Sequence, residues 1–280
     1  MTVFDRLPSS PVRTRYATAH VELSRDIPSL ATLYLDGSES SALDLLDPHH
    51  LEFEYMQHIR TIVDSVFELP DPLHVMHLGA AGCALARAVD ADRPGSRQLA
   101  IELDPELAAL VREWFDLPKA PRLRIRAAEA RQALDTTGAT WDVIVRDAFA
   151  HRDVPAQLRT SECARRASEV LSPGGVYVLN AIASTGLTRF GQEIATLLAH
   201  FEHVIAIVDP AVMRGRRFGN IVIGASHEPF DEIGISKSVR RLPMPASVIS
   251  EEALVKRALG NAPMVDADLA PGQLWSVEVS

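Results

Sequence analysis

The chain is poor in cysteine and in long hydrophobic runs, and each shortage excludes a class of protein. Only Cys83 and Cys163 are present among 280 residues. Two cysteines cannot form a disulfide framework, and such usage is typical of a reducing compartment. No apolar stretch approaches the ~20 residues that a membrane-spanning helix needs, and the amino terminus lacks the apolar segment of a secretion signal. We therefore expect a cytoplasmic protein that is not associated with a membrane.

Positive charge is also scarce. The chain has 28 Lys and Arg residues against 37 Asp and Glu residues, which gives a formal net charge of −9. Binding of nucleic acid requires a basic face, so no nucleic-acid partner is expected. An acidic surface is common in soluble enzymes, and it is also compatible with a cationic small-molecule substrate such as an amine.

Several catalytic signatures are missing. There is no Gly-x-Ser-x-Gly elbow, so hydrolase chemistry has no support, and the full Gly-x-Gly-x-x-Gly dinucleotide fingerprint is absent. A group of acids and histidines lies close together in the sequence, but its spacing matches no zinc signature, and one helix would spread it over several faces. We expect no metal site from this group, which comprises His49, His50, Glu52, Glu54 and His58.

The pattern of hydrophobic residues predicts three regions. Residues 1–48 form an arm and a small antiparallel sheet, because the segments 18–23, 31–35 and 41–45 alternate and the turn signal Asp36-Gly37 lies between them. Residues 49–228 form the main domain, which opens with a helix from Asp47-Pro48 to Leu69. Residues 229–280 form a C-terminal extension with one helix near Glu251.

In the main domain, predicted strands alternate with predicted helices, which indicates an open, doubly wound parallel sheet of the Rossmann-like type. The strands are apolar enough to be buried on both faces. A last pair of strands closes the sheet. The predicted strands are 74–78, 98–102, 123–125, 141–146, 176–180, 204–208 and 219–224, and the helices between them are 83–91, 105–114, 130–135, 160–171 and 188–199.

The first strand runs into a turn of small residues and then a helix. Gly79, Ala80, Ala81 and Gly82 would let a ligand approach the backbone closely, and a helix amino terminus favours a negative group. The alternative is a tight strand-to-helix turn with no ligand. Cys83 follows this turn, and we interpret it as a small packing residue. The alternative is a thiol of lowered pKa at the helix terminus.

Three acids follow later strands, at the edge where open α/β sheets bind ligands. Glu102 lies about twenty residues after Gly82, where an acid can accept hydrogen bonds from both ribose hydroxyls. Glu129, beside Ala130, is a candidate for the adenine amino group, or else it complements the dipole of the next helix. Asp147 can hold an ammonium group or accept a proton, unless it merely caps a loop. Asp104 is predicted to cap a helix.

The order and spacing of these motifs resemble the spermidine synthases, a branch of the class I methyltransferase fold. The resemblance covers about residues 30–225. It rests on the glycine turn and on Leu35-Asp36-Gly37, Ile101-Glu102-Leu103-Asp104, Ala128-Glu129-Ala130-Arg131, the segment from Trp141 to Asp147, and Ser172-Pro173-Gly174-Gly175-Val176.

The resemblance implies aminopropyl transfer from decarboxylated S-adenosylmethionine to an amine. Carried over by position, Glu102 would hold the ribose, Glu129 with Ala130 the adenine, and Asp147 would be the catalytic carboxylate. The resemblance also implies a homodimer.

The acceptor half of the pattern departs from the family. Gly82 and Ala150 stand where the family has acids, and Phe53-Glu54-Tyr55 stands in place of the family's Tyr-His-Glu. The glutamine that follows Leu-Asp-Gly in the family is replaced within 38–41. Glu52, Glu54 or Asp47 could supply replacement acids.

Three functions therefore stay open. The first is a spermidine synthase-like transferase with an altered acceptor site, and the second is a methyltransferase that uses S-adenosylmethionine. The third is a nucleoside-binding protein without catalysis. Arg214-Gly215-Arg216-Arg217 is interpreted as a solvated turn or, alternatively, as an anion contact.

Overall fold

The structure, a computed structural model, describes residues 2–150, 153–183 and 187–270. It consists of a small antiparallel sheet and a larger sheet flanked by helices. The strands are β1 (Val12–Arg13), β2 (Thr18–Leu23), β3 (Leu30–Leu35), β4 (Ser38–Asp44), β5 (His74–Leu78), β6 (Arg97–Glu102), β7 (Leu123–Ala127), β8 (Trp141–Arg146), β9 (Leu171–Ile182), β10 (His203–Val208), β11 (Asn220–Ser226) and β12 (Ser247–Ile249). The helices are α1 (Glu54–Val66), α2 (Ala84–Asp92), α3 (Pro105–Trp114), α4 (Ala130–Thr136), α5 (Ser161–Val170), α6 (Thr188–Leu198), α7 (Pro210–Met213), α8 (Glu232–Val239) and α9 (Glu251–Ala258).

The large sheet confirms the predicted α/β fold. Its strand order is β12-β10-β11-β9-β8-β5-β6-β7. The five strands from β9 to β7 run parallel, whereas β11, β10 and β12 are antiparallel to their neighbours. The carboxyl ends of β5, β6, β7, β8 and β9 therefore meet at one edge, which is where the motif residues follow their strands.

Two hydrophobic cores cover the two faces of this sheet. Successive side chains of a strand point to opposite faces, so Val143 and Val145 of β8 join one core while Ile144 joins the other. Residues of α1, α2, α3 and α8 complete the first core, and residues of α4, α5, α6 and α9 complete the second. The small sheet also packs on the first core, through Ala31, Leu33 and Leu43 among others.

Several features of the chain differ from the sequence-based expectation. The helix predicted from Asp47-Pro48 begins only at Glu54, because the Asp47 carboxylate accepts a hydrogen bond from the His49 N–H in a turn. Strands β1 and β12 and helices α7 and α8 are not predicted by the sequence. Strand β12 pairs with β10, so a segment assigned to the C-terminal extension forms an edge of the large sheet.

A buried arginine of helix α4 binds the segment around Asp266. Arg131 of α4 donates two hydrogen bonds to the Asp266 carboxylate, both at 2.9 Å. It also contacts Asp135 of its own helix. The pKa of Arg131 is raised by these carboxylates although burial opposes the shift. Within the described ranges, no helix is long and apolar enough to cross a membrane.

Candidate active site

The turn after β5 has a backbone that only small residues can form. Gly79 has φ +95°, and a Cβ atom there would lie 2.4 Å from the carbonyl oxygen of Asp147. Ala81 also has a positive φ, at 41°, a conformation that costs an L-residue free energy. Glycine at position 79 therefore lets the ends of β5 and β8 approach each other, and this approach brings the turn next to Asp147.

Gly82 faces the small sheet. Its N–H donates a 2.9 Å hydrogen bond to Ser41 Oγ of β4, and a Cβ atom at this position would lie 2.7 Å from the Cβ of Ser41. Ser41 fills the space that a side chain at position 82 would need, so the structure has no room for an acid there.

Glu102, at the end of β6, holds the glycine turn. Its two carboxylate oxygens accept hydrogen bonds from the N–H groups of Ala81 at 2.9 Å and Asp104 at 3.0 Å. Burial raises the pKa of Glu102, although these backbone hydrogen bonds oppose the shift. Each oxygen still has a second lone pair, so the carboxylate can also accept hydrogen bonds from a diol. Asp104 caps α3, as predicted, by accepting from Glu106 and Leu107.

Glu129 is the N-cap of α4. Its side chain accepts a 2.7 Å hydrogen bond from the Gln132 N–H and a 3.3 Å one from Gln157 Nε2. The predicted interaction with a helix amino terminus is thus present, and Ala130 is the first residue of that helix. The loop lies beyond β6 at the same sheet edge as Glu102. A role for Glu129 and Ala130 at the adenine remains a prediction.

Asp147 directly follows β8 and is held by two side chains. Tyr55 of α1 donates to Oδ2 at 3.0 Å, and Asn180 of β9 donates to Oδ1 at 2.9 Å. Burial raises the pKa of Asp147 to about 6, while the hydrogen bonds from Asn180 and Tyr55 and the charge of Arg146 act in the opposite direction. A carboxylate with this pKa is ionised at neutral pH and can accept a proton.

A buried ion pair lies behind Asp147. Arg146 is 1% exposed and donates to Glu193 of α6 at 2.5 Å. Arg159 contacts the other oxygen of the same carboxylate at 3.3 Å. Breaking a buried pair of this kind is costly. The ion pair between Arg146 and Glu193 therefore holds the carboxyl end of β8 in place, directly before Asp147.

An open cavity of about 670 Å³ lies between the small sheet, the start of α1 and the segment from α7 to β11. Tyr55 is part of its wall, which places the cavity beside the tyrosine that contacts Asp147. The ionisable groups of the wall are mainly acidic: Glu22, Glu39, Glu52, Glu54 and Asp209 against Arg25 and Arg217, together with His58. An acidic, open cavity suits a cationic molecule.

Two of the three replacement acids suggested by the sequence line this cavity, namely Glu52 and Glu54. Asp47 does not; its carbonyl oxygen accepts a hydrogen bond from Arg87. Arg217 contacts Glu54 and Asp209, both at 3.3 Å. The basic cluster lies in an exposed turn, which agrees with the interpretation as a solvated turn, and Arg217 within it contacts two carboxylates of the protein.

The sequence alone does not identify Tyr55 and Asn180 as site residues. Its helical spacing places Tyr55 on an apolar face, and the motif places Phe53 at the tyrosine position, whereas it is the Tyr55 hydroxyl that reaches Asp147. Asn180 ends a predicted strand at the ligand edge, a signal that could have identified it. A buried tyrosine hydroxyl usually needs a partner, which was the available signal for Tyr55.

Burial sets the pKa of Cys83, the cysteine that follows the turn. The pKa of Cys83 is raised to about 12, so the alternative of a lowered pKa is wrong and the packing interpretation agrees with the structure. In the described part of the chain, no three His, Cys, Asp or Glu side chains are grouped so that they could hold a metal ion.

Known proteins resemble the chain over most of its length. A probable spermidine synthase from Corynebacterium glutamicum has a solved structure that matches 92% of this chain and 96% of its own, with 33% identity and a TM-score of 0.87. A polyamine aminopropyltransferase from Chromobacterium violaceum is 29% identical over 189 residues, which are 66% of this chain and 70% of the relative.

A more distant solved structure is that of a spermidine synthase in complex with the transition-state analogue AdoDATO. It has 16% identity and a TM-score of 0.62, and the match covers 90% of this chain and 84% of that one. At this identity the likeness shows the fold alone. No protein-family model matches the sequence.

Proposed function

Because the chain belongs to the spermidine synthase family, we propose that it transfers an aminopropyl group from decarboxylated S-adenosylmethionine to an amine. The observation that carries the proposal is the position of Asp147. This carboxylate lies beside the glycine turn at the ligand edge of the sheet and is joined through Tyr55 to the acidic cavity. A donor at the turn and an amine in the cavity would meet at Asp147.

The residues of the sheet edge suit an adenosyl donor. Glu102 presents a half-buried carboxylate beside the turn, with lone pairs beyond those that accept from Ala81 and Asp104, as a ribose requires. Glu129 lies one loop further along the same edge, at the position assigned to the adenine. The family to which the chain belongs supports a donor of this class.

In the reaction, the chain's own residues align the amine and take up a proton. The donor supplies a methylene carbon made electrophilic by the neighbouring sulfonium. A neutral amine forms the new C–N bond as the C–S bond breaks, and methylthioadenosine leaves with the electron pair on sulfur. Asp147 accepts the proton that the nitrogen loses, while Tyr55 and Asn180 keep its carboxylate oriented.

The acceptor is held differently from what the family pattern implies. Gly82 and Ala150 offer no carboxylate, whereas Glu52 and Glu54 approach the cavity from the N-terminal side. These acids would replace the missing charge-assisted bonds, which are worth roughly 1.5–3 kcal/mol each.

Calorimetry with two donors tests the proposal. We expect decarboxylated S-adenosylmethionine and methylthioadenosine to bind more tightly than S-adenosylmethionine. Preference for S-adenosylmethionine would instead support a methyltransferase, for which the lack of an acid at Gly82 removes one reason to reject a donor carboxylate. Glu102→Gln should weaken nucleoside binding, and Glu106→Gln, on the exposed side of α3, should not. Absence of nucleoside binding would contradict the proposal.

A further inference from the structure

We propose that Arg217 occupies the site of the acceptor's distal cation in the free protein and is displaced when a diamine binds. The inference rests on the proposed function, because it assigns an amine to the cavity beside Tyr55. Arg217 would then set the affinity for acceptors with two charges. The part of the cavity at Glu54 and Asp209 would be a site for a cation.

The contacts of Arg217 are those of a replaceable cation. Its Nη2 lies 3.3 Å from Glu54 Oε2 and its Nη1 lies 3.3 Å from Asp209 Oδ2, and its side chain is 46% exposed. Ion pairs of this length and exposure are weak. The segment between α7 and β11 that carries Arg217 is exposed at residues 214–218, so the side chain can leave without disturbing a core.

The two carboxylates, in contrast, are partly buried, and both lie at helix amino termini. Glu54 opens α1 and is 31% exposed, while Asp209 caps α7 and is 14% exposed. Partly buried carboxylates are most stable with a cation beside them. A ligand that replaces Arg217 must therefore bring a positive charge, as the second ammonium of a diamine does.

His58 provides an independent indication of a ligand at this place. It is four residues after Glu54 on α1, so the two side chains share a face of the helix. His58 is 4% exposed and belongs to the cavity wall, yet its Nδ1 has no hydrogen-bond partner in the described part of the structure. Burial lowers the pKa of His58 to about 4, so the ring is neutral and can accept a hydrogen bond. An ammonium group has three N–H donors, which matches two carboxylates and one imidazole.

The opposite role for Arg217 would be to bind an anionic end of the acceptor. The charges of the cavity wall disfavour binding of an anion, because the wall has five carboxylates and two arginines. An anion would have to enter a region of negative potential. The two roles also predict opposite effects of removing the guanidinium.

The test is calorimetric titration of the full chain, with and without methylthioadenosine, using 1,4-diaminobutane and butylamine as probes. The variant is Arg217→Gln and the matched control is Arg216→Gln, which removes the same charge from the same exposed turn. We expect the Kd for 1,4-diaminobutane to fall about three- to tenfold in Arg217→Gln, in keeping with the loss of two weak ion pairs. The Kd for butylamine should change less than about twofold, because it has no second charge, and Arg216→Gln should leave both values within the same limit.

A second variant keeps the test decisive. Glu54→Gln introduced into Arg217→Gln should abolish the gain for the diamine, because it removes one of the carboxylates that the ammonium would contact. An unchanged or higher Kd for the diamine in Arg217→Gln would overturn the inference, as would an equal gain for butylamine or in Arg216→Gln. Amine binding is measured here without turnover, so a failure is distinguishable from failure of the proposed transfer, which nucleoside binding and product formation report.

Discussion

Asp147 lies where burial and hydrogen bonding shift its pKa in opposite directions. Burial is the larger effect and raises the pKa to about 6. Tyr55 and Asn180 donate to the two carboxylate oxygens and so favour the charged form. The acid is thereby ionised at neutral pH while its affinity for a proton is increased, which suits a group that accepts a proton from an amine.

Replacing Tyr55 by phenylalanine should move the acid limb of the pH profile. Asp147 must be ionised to accept a proton, so kcat/KM of the wild type should fall as the pH drops below about 6. Loss of the Tyr55 hydrogen bond destabilises the carboxylate, and its pKa should rise by about one unit or more. The measurement is the dependence of kcat/KM on pH over roughly pH 5 to 9.

The control for this change is Tyr16→Phe, which removes a hydroxyl from the N-terminal segment and should leave the limb in place. If the pKa of the acid limb is unchanged or lower in Tyr55→Phe, Tyr55 does not stabilise the charged form of the acid that limits the reaction.

Gly79 is required by the close approach of two strands. A methyl group there would collide with the Asp147 carbonyl oxygen at 2.4 Å, and the φ of +95° disfavours alanine. We expect Gly79→Ala to lower the free energy of unfolding by about 2 kcal/mol or more. Gly138→Ala is the matched control, because a Cβ at Gly138 would have no atom of the described residues within 4 Å, and it should change the value by less than about 1 kcal/mol. Urea denaturation measures both, and equal costs would contradict the account.

At the scale of residues, the sequence could identify the acids that follow strands, because each strand's end was readable from its apolar pattern. It could not identify Tyr55, whose partner Asp147 is 92 positions away. Nor could it reveal that Ser41 covers Gly82, since that contact depends on how the small sheet docks.

At the scale of elements, strands and long helices were predictable because their hydrophobic periods are clear. The bounds of β8 and α3, for example, agree with the expected ones. Helix α8 was missed because its sequence contains Gly234, a poor helix former. It forms because Asp231 caps it, through the Gly234 N–H, and because Ile235 is buried in the core. Strand β12, with three residues, is too short to show a period.

The contact between β4 and the glycine turn gives a prediction at this scale. Gly82→Asp restores an acid at the position where the family has one, but its Cβ would meet Ser41 at 2.7 Å. Alone it should destabilise the fold by about 1–3 kcal/mol. Combined with Ser41→Gly, it should cost less than the sum of the two single changes, with a coupling of about 1 kcal/mol.

A double-mutant cycle by urea denaturation measures this coupling. Ser38→Gly, at the exposed start of β4, provides the control pair and should be additive with Gly82→Asp. Additivity in the Ser41 cycle as well would show that Ser41 does not limit the side chain at position 82.

At the scale of the whole molecule, the cavity forms where three segments that are distant in the sequence come together. The cavity takes residues from the range 22–39 of the small sheet, from 52–58 at the start of α1, and from 209–220 before and within β11. The sequence predicted the sheet edge but not this cavity, because no local pattern specifies how the small sheet packs on the large one. The acidic balance of the chain is, however, mirrored in the cavity wall.

The central claim is that Asp147 receives the proton during aminopropyl transfer, and Asp147→Asn tests it most directly. An asparagine fits the site, because Asn180 Oδ1 has no hydrogen-bond partner among the described residues, and the Asn180 amide can turn so that this oxygen accepts from the new amide. With decarboxylated S-adenosylmethionine and 1,4-diaminobutane, the wild type should release methylthioadenosine and the variant should lose at least about a hundredfold in kcat, while its Kd for methylthioadenosine stays within about twofold. Full turnover by Asp147→Asn would contradict the account.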